Sequence, residues 1–370
     1  MNLQSNPSAR LKVLMVTRTS HITEIDMMCR LKKSGVEVEA ITESDCPHIK
    51  LLGDAGIPHE SLDLKSRLDI KGIKRLRQRI KKGGFHVVHG FSNRPISNLV
   101  WASYGLNHAL VIYRGAIGHV RRWDPDCWLK WLNPRVDRIA CVSHAVKKDL
   151  IKSGARPDKL VTIYKGHDFS WYHDLPCIDL NSEFKIPDNA FIVGCAANMR
   201  RVKGVDILLK SLLELPENIH ALLMGEVRDP LVKTLAQKPE IKDRVHFAGF
   251  RQDAPAILGS CHLAVAPSRG REGLTKSIIE PMAQGVPAVV TEAGGLPEML
   301  EHGISGYIVP IDDPTAMAKA IGKLAKDPEL CAQFGQKAKQ RMEKVFSINQ
   351  TAESTLQMYV DVCSEKRILK

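Results

Sequence analysis

The chain has 370 residues, 44% of them hydrophobic, 25% charged and 5% aromatic. That composition argues against a disordered, collagen-like or disulfide-stapled protein. Nine scattered cysteines without a Cys-x-x-Cys pair disfavour a zinc ribbon, and no apolar run nears the roughly 18 residues that span a bilayer. No signal peptide is legible, so the expectation is a cytoplasmic, reducing-compartment protein. The net charge of +12 is lopsided: residues 1–180 hold 29 Lys+Arg against 18 Asp+Glu, and residues 181–370 hold 24 against 23. A basic half suits nucleic acid, anionic lipid or a phosphorylated acceptor.

In chain order, short β-branched runs at 11–17, 36–42, 85–89, 109–113, 137–142 and 160–164 alternate with amphipathic stretches, the pattern of βαβ units and parallel sheets. A segment rich in turn residues at 165–187 reads as a linker. A second series of strands follows at 191–196, 220–224, 245–248, 262–266, 288–291 and 307–309. Helices are predicted over 205–213 and 275–284, the latter stopped by Gly285 and Pro287, and the chain is mostly helical from Pro314 onward. The fold class is α/β, with two doubly wound Rossmann-like domains. Their predicted bounds are 1–170 and 171–350, and a C-terminal helix at 351–370 packs back on the first.

Ligands of open parallel sheets bind at the carboxyl ends of the strands. The richest such loop runs from Ser268 through Glu272, Gly273, Leu274 and Thr275 into a helix bearing Glu280. Free N–H groups at that helix start favour an anion, and the two glutamates could accept hydroxyl groups on either side of it. In the plainer alternative Glu272 is a solvated loop residue and Glu280 pairs with Lys276. A second basic turn holds Arg200 and Lys203 ahead of the helix at Val205. Cations there would stabilise a leaving diphosphate most in the transition state. A solvated turn is the alternative.

These residues carry a family resemblance. The spacing of Glu272 and Glu280, followed by Ala283-Gln284-Gly285-Val286-Pro287 and Gly294-Gly295-Leu296-Pro297-Glu298, resembles the E-x7-E signature of family 4 glycosyltransferases. The opening strand at 12–17, residues 137–143 and 161–168, and residues 245–250 are similar to that family as well. The resemblance implies the GT-B architecture, two domains facing a central cleft. It also implies a nucleotide-sugar donor held mainly by the second domain, a hydroxyl acceptor, and sugar transfer with retention and no essential metal or other cofactor. It makes Arg200, Lys203 and Glu272 catalytic, and assigns Gly249, Phe250, Gly273, Leu274, Thr275 and Glu280 to the donor. Pro281 departs from the family's usual alanine, and the loop 18–23 lacks the family's glycine pair.

On the acceptor side the candidates are Ser20 and Arg114, with His119 either a general base or a loop histidine. His86 and His89 point to opposite faces of one strand, so no metal site is read, and Ser143 beside His144 has no nucleophile motif around it. The basic stretch 71–82 places Ile73, Leu76 and Ile80 on one helical face. With Trp123, Trp128 and Trp131 it forms either an ordinary sheet-covering element or a face for anionic lipid, which would suit a lipid-linked acceptor in surface glycan or lipopolysaccharide synthesis at the inner face of a membrane. The alternatives to the transferase are a GT-B epimerase or phosphorylase, and a basic nucleic-acid-binding protein. Aromatics do not interleave with the basic run, and no nucleic-acid motif appears.

Overall fold

The computed structural model describes residues 11–18 and 21–368. They form two compact units: the first runs up to Asp168 and takes Ser347 onward, and the second is Phe169–Phe346. In the first unit the elements are β1 (Lys12–Val16), α1 (Ile22–Lys33), β2 (Glu37–Thr42), α2 (Ile49–Asp54), β3 (His59–Ser61), α3 (Ile70–Gly83), β4 (Val87–Gly90), α4 (Asn93–Ala102), β5 (Ala109–Arg114), α5 (Pro125–Trp128), β6 (Arg138–Cys141), α6 (His144–Lys152) and β7 (Leu160–Thr162). All neighbours in its seven-stranded sheet, β3-β2-β1-β4-β5-β6-β7, are parallel. The short edge strand β3 was not foreseen from sequence, because His59-Glu60-Ser61 carries no apolar residue and only pairing to β2 makes it a strand.

The second unit contains α7 (Leu180–Phe184), β8 (Phe191–Ala196), α8 (Val205–Leu212), β9 (Ile219–Met224), α9 (Pro230–Ala236), β10 (Val245–Gly249), α10 (Ala254–Gly259), β11 (Leu263–Ala266), α11 (Lys276–Ala283), β12 (Ala288–Thr291), β13 (Gly306–Val309), α12 (Pro314–Lys326) and α13 (Pro328–Val345). Its six strands run β10-β9-β8-β11-β12-β13, again all parallel. Chain order reverses between β1 and β4 in one sheet and between β8 and β11 in the other. These reversals are the switch points, where loops diverge and leave a crevice at the carboxyl edge. Both sheets are covered on both faces, so β4, β9, β11 and β12 are buried throughout. Each sheet centres its own core.

The last helix, α14 (Ile348–Glu365), belongs to the first unit. The return therefore begins at Ser347, before the predicted bound at 351. The physical reason is a local tie: the Ile348 N–H donates to the His167 carbonyl (3.0 Å), the Gly166 N–H donates to Thr351 Oγ1 (2.8 Å), and Ser347 caps the helix through the Gln350 N–H. Met358, Tyr359 and Val362 are then buried in the first core, each contributing about 1.5–3 kcal/mol. All nine cysteines are free, and among the described residues no helix is long and apolar enough to cross a membrane.

Candidate active site

At the switch point of the second unit, the loop after β8 (197–204) meets the loop after β11 (267–275). Gly204 makes the approach possible. It sits at φ +63°, and a Cβ there would lie 1.9 Å from the Pro267 carbonyl oxygen. Arg269 then locks the two loops: its guanidinium donates to both oxygens of the buried Asp206 (2.6 and 2.8 Å) and to the Arg201 carbonyl (2.8 Å), while its own N–H donates to the Val202 carbonyl (2.8 Å). Sequence reasoning passed over Arg269, Asp206 and Gly204, because their partners are more than 60 residues away.

Inside this frame Lys203 Nζ lies 2.6 Å from Glu272 Oε1, which also accepts the Ser268 hydroxyl at 2.8 Å. Glu272 is only 6% exposed, so the solvated-loop alternative fails. Its buried carboxylate is partnered by Lys203 and Ser268. Two residues given separate roles from sequence thus form one ion pair. Removing Lys203 would leave Glu272 buried without its cation, so this lysine supports the fold as well as the site.

Glu280 stands in the second turn of α11, half-buried, and forms no ion pair with Lys276 among the described residues; the pairing alternative is therefore not what is seen. Burial, against a smaller opposing pull from Lys276, pushes its carboxyl up to about 7. Tyr172, near enough to feel that charge, is itself pushed far up, chiefly by burial. The α11 N-terminus is open: Thr275 takes the N-cap position, yet its hydroxyl meets Ser277 Oγ at 3.0 Å and caps nothing. The Lys276 and Ser277 N–H groups, just beyond Gly273, Leu274 and Thr275, thus remain available to an anion. Arg200 is exposed, with no acidic partner among the described residues. Gly249 ends β10 at φ +67°, and Phe250 beside it is 81% exposed. The second unit therefore offers unspent cation and N–H donors, an aromatic surface, and two carboxylates able to accept hydroxyls.

At the switch point of the first unit lies a cleft of about 650 Å³ whose lining includes Arg18, His21, Ser92, Arg94, Arg114 and Lys165. Arg114 ends β5 and is nearly buried. Its guanidinium rests 4.1 Å from the Trp131 ring centroid, donates to the Gly118 carbonyl, and is pulled below the usual arginine range by burial. His119 is exposed on the following loop at φ 60° and does not line the cleft. Ser20 lies outside the described residues. Trp131 is buried, whereas Trp123 and Trp128 are exposed. In α3, Leu76 and Ile80 face the core, and three of its arginines are engaged within the fold: Arg75 with Glu60, Arg79 with Glu39 and Glu60, and Arg77 with the Ala102 and Tyr104 carbonyls. No cluster of His, Cys, Asp and Glu among the described residues is arranged to hold a metal ion.

Comparison with known proteins decides the family. The profile of glycosyl transferases group 1 matches residues 179–341, and that of Glycosyltransferase Family 4 matches residues 25–171. The chain belongs to the family 4 glycosyltransferases. It is 27% identical over 235 residues to the N-acetyl-alpha-D-glucosaminyl L-malate synthase of Bacillus anthracis, covering 62% of this chain and 61% of that protein. To the lipopolysaccharide core biosynthesis mannosyltransferase LpcC of Rhizobium leguminosarum it is 25% identical over 250 residues, 65% of this chain and 69% of that one. The match thus spans about three-fifths to two-thirds of these relatives. Among solved structures, Anabaena HepE in complex with UDP superposes with a TM-score of 0.79 at 22% identity, covering 95% of this chain and 100% of that one. A Rickettsia africae glycosyltransferase gives 0.80 at 18%, covering 95% and 98%. The family 4 chain therefore has the GT-B fold of these neighbours.

Proposed function

We propose that this family 4 protein transfers a sugar from a nucleotide-sugar donor to a hydroxyl acceptor, with retention, in surface glycan or glycolipid synthesis. The observation that carries the reading is the second unit's switch point, where Lys203, Glu272 and the uncapped start of α11 come together. A nucleotide diphosphate there would meet the Arg200 and Lys203 cations and the helix N–H groups, with Glu280 accepting ribose hydroxyls and Glu272 the sugar's. The acceptor oxygen bonds the anomeric carbon as the bond from that carbon to the phosphate oxygen breaks. The electron pair leaves with the nucleoside diphosphate, whose growing charge the cations stabilise, and the hydroxyl proton passes to the leaving phosphate. Phe250 offers a face for the donor base. UDP is the natural first probe, since it occupies the related Anabaena structure.

The acceptor-side reading places the hydroxyl in the first unit near Arg114, with His119 a candidate base. A lipid-linked acceptor is supported by Trp123, Trp128, Leu68 and Ile70, all exposed and carried on two segments joined by the Arg67 to Asp126 ion pair (2.8 Å). Such a rim would rest on anionic lipid, helped by the exposed Lys71, Lys74, Lys81 and Lys82. Screening nucleotide sugars for thermal stabilisation tests the donor reading: a true donor at ~100 times its Kd adds about 2.7 kcal/mol. The reading fails if no nucleotide or nucleotide sugar stabilises the protein. Nucleotide release without any acceptor-dependent product would favour an epimerase or phosphorylase.

A further inference from the structure

The cleft of the first unit is lined by five cations, Arg18, Arg67, Arg94, Arg114 and Lys165, and by a single acid, Glu24. Three of the five are already neutralised: Arg18 by Glu43 (3.0 Å), Arg67 by Asp126 (2.8 Å) and Lys165 by Glu24 (3.0 Å). Arg94 has no acidic partner among the described residues. Arg114 forms no ion pair among them either, although the Asp149 carboxylate acts on it at longer range; it is 7% exposed, and its Nε finds no hydrogen-bond partner. A buried guanidinium without a direct ion-pair partner is an expensive arrangement that a ligand anion would offset. Arg94 also sits in the first turn of the ten-residue α4, whose N-cap residue Ser92 offers no side-chain cap; Pro95 has no N–H and Ile96 donates to the Ser92 carbonyl, so the helix start adds the Asn93 and Arg94 N–H groups and a positive dipole end to the same cleft.

We propose that this cleft takes an acceptor bearing a phosphate group, held by Arg94, Arg114 and the first-turn N–H groups of α4, with the accepting hydroxyl elsewhere on the same molecule. The proposal rests on the transferase reading and names the class of its acceptor. Two planar guanidinium groups and a helix start provide donors in several directions, which suits the three oxygens of a phosphate better than the two of a carboxylate. A free sugar or polyol phosphate and a prenyl-linked diphosphate share that chemistry.

The test is calorimetric titration of the full chain with glycerol 3-phosphate, glycerol, malate and geranyl diphosphate, and separately with UDP. Saturable binding of at least one phosphate probe is expected, with glycerol at least tenfold weaker than its phosphate and malate weaker as well. Arg94→Gln, which breaks no ion pair, should cut phosphate affinity tenfold or more, leave UDP affinity unchanged, and be partly rescued by Arg94→Lys. Tighter geranyl diphosphate marks a lipid-linked acceptor, and tighter glycerol 3-phosphate a soluble one. The proposal is overturned if neither phosphate probe binds, if malate binds as tightly, or if Arg94→Gln leaves phosphate binding intact. Loss of the transferase reading looks different: phosphate binding through Arg94 would persist in a protein that binds no nucleotide.

Discussion

The two switch points of this molecule are built on the same strand order and differ in which of their charges are paired. In the second unit the buried acids are matched by cations from the facing loop: Glu272 holds Lys203 and Asp206 holds Arg269. In the first unit Arg94 and Arg114 face the cleft without a direct ion-pair partner among the described residues. The sequence shows the same asymmetry as +11 against +1 for its two halves. A common backbone thus leaves the chemistry of each crevice to a few loop side chains. In the second crevice Lys203 and Arg269 are paired with buried acids, so a ligand there must exchange partners; in the first, Arg94 and Arg114 lack a direct ion pair.

The sharpest way to break this comparison is Lys203→Ala. Turnover should fall roughly 100- to 1000-fold through loss of a preorganised cation, and stability should fall by about 1–3 kcal/mol because Glu272 is left buried and unpaired. Adding Glu272→Gln should restore the melting temperature while leaving turnover low. Wild-type turnover in a folded Lys203→Ala protein would remove Lys203 from the chemistry.

Next in size is the backbone. Gly204→Ala forces a Cβ onto the Pro267 carbonyl at a left-handed φ and should cost more than about 2 kcal/mol. Gly84→Ala, at φ +62° beyond α3 with nothing within 4 Å, should cost about 1 kcal/mol. Urea unfolding of both variants measures the difference. Equal costs would mean that the loops of the second unit can part without penalty.

Acid acts on both units, alkali on the second. Burial pushes His89 and His108 of the first unit down to about 3, and His220 of the second to about 4. Their folded forms stay neutral where the unfolded chain takes up protons, so their contribution is present above pH ~6.5 and is lost as pH falls toward those values. Glu280 has the opposite sign. Raised to about 7, it binds its proton more tightly when folded, so stability is lost as pH rises from about 4.5 through 7. Glu280→Gln should therefore raise the melting temperature at pH 8 and have little effect at pH 4. It should also weaken nucleotide affinity at pH 8, whereas Glu272→Gln impairs sugar transfer more than binding of bare nucleotide. Unchanged melting of Glu280→Gln at pH 8 would contradict the burial of that carboxylate.

The smallest effect is expected at His119. Exposed and outside the cleft lining, it should lose less than about tenfold in turnover on change to alanine, well short of the 10²–10⁴ of a positioned base. A larger loss, with a pH profile displaced by the substitution, would make it the base.

Much of this was written in local pattern. Parallel strands buried on both faces are continuous apolar runs, so the two series of βαβ units and the loop leading into α11 were legible from spacing, whereas Glu272, Glu280, Lys203 and Arg114 stood out mainly through the family resemblance. Three kinds of feature were not. The edge strand β3 has no apolar signature and exists through its neighbour. The chain's return to the first unit at Ser347 depends on hydrogen bonds to residues some 180 positions earlier. Which cation meets which acid depends on how closely two loops approach, and that distance is set by the missing Cβ of Gly204 and the fork of Arg269. Periodicity is a property of neighbours along the chain and specifies elements and their buried faces. Pairing and desolvation are properties of neighbours in space, so the Lys203 to Glu272 bridge, the buried Arg114 without an ion pair and the raised carboxyl of Glu280 came only from the tertiary structure.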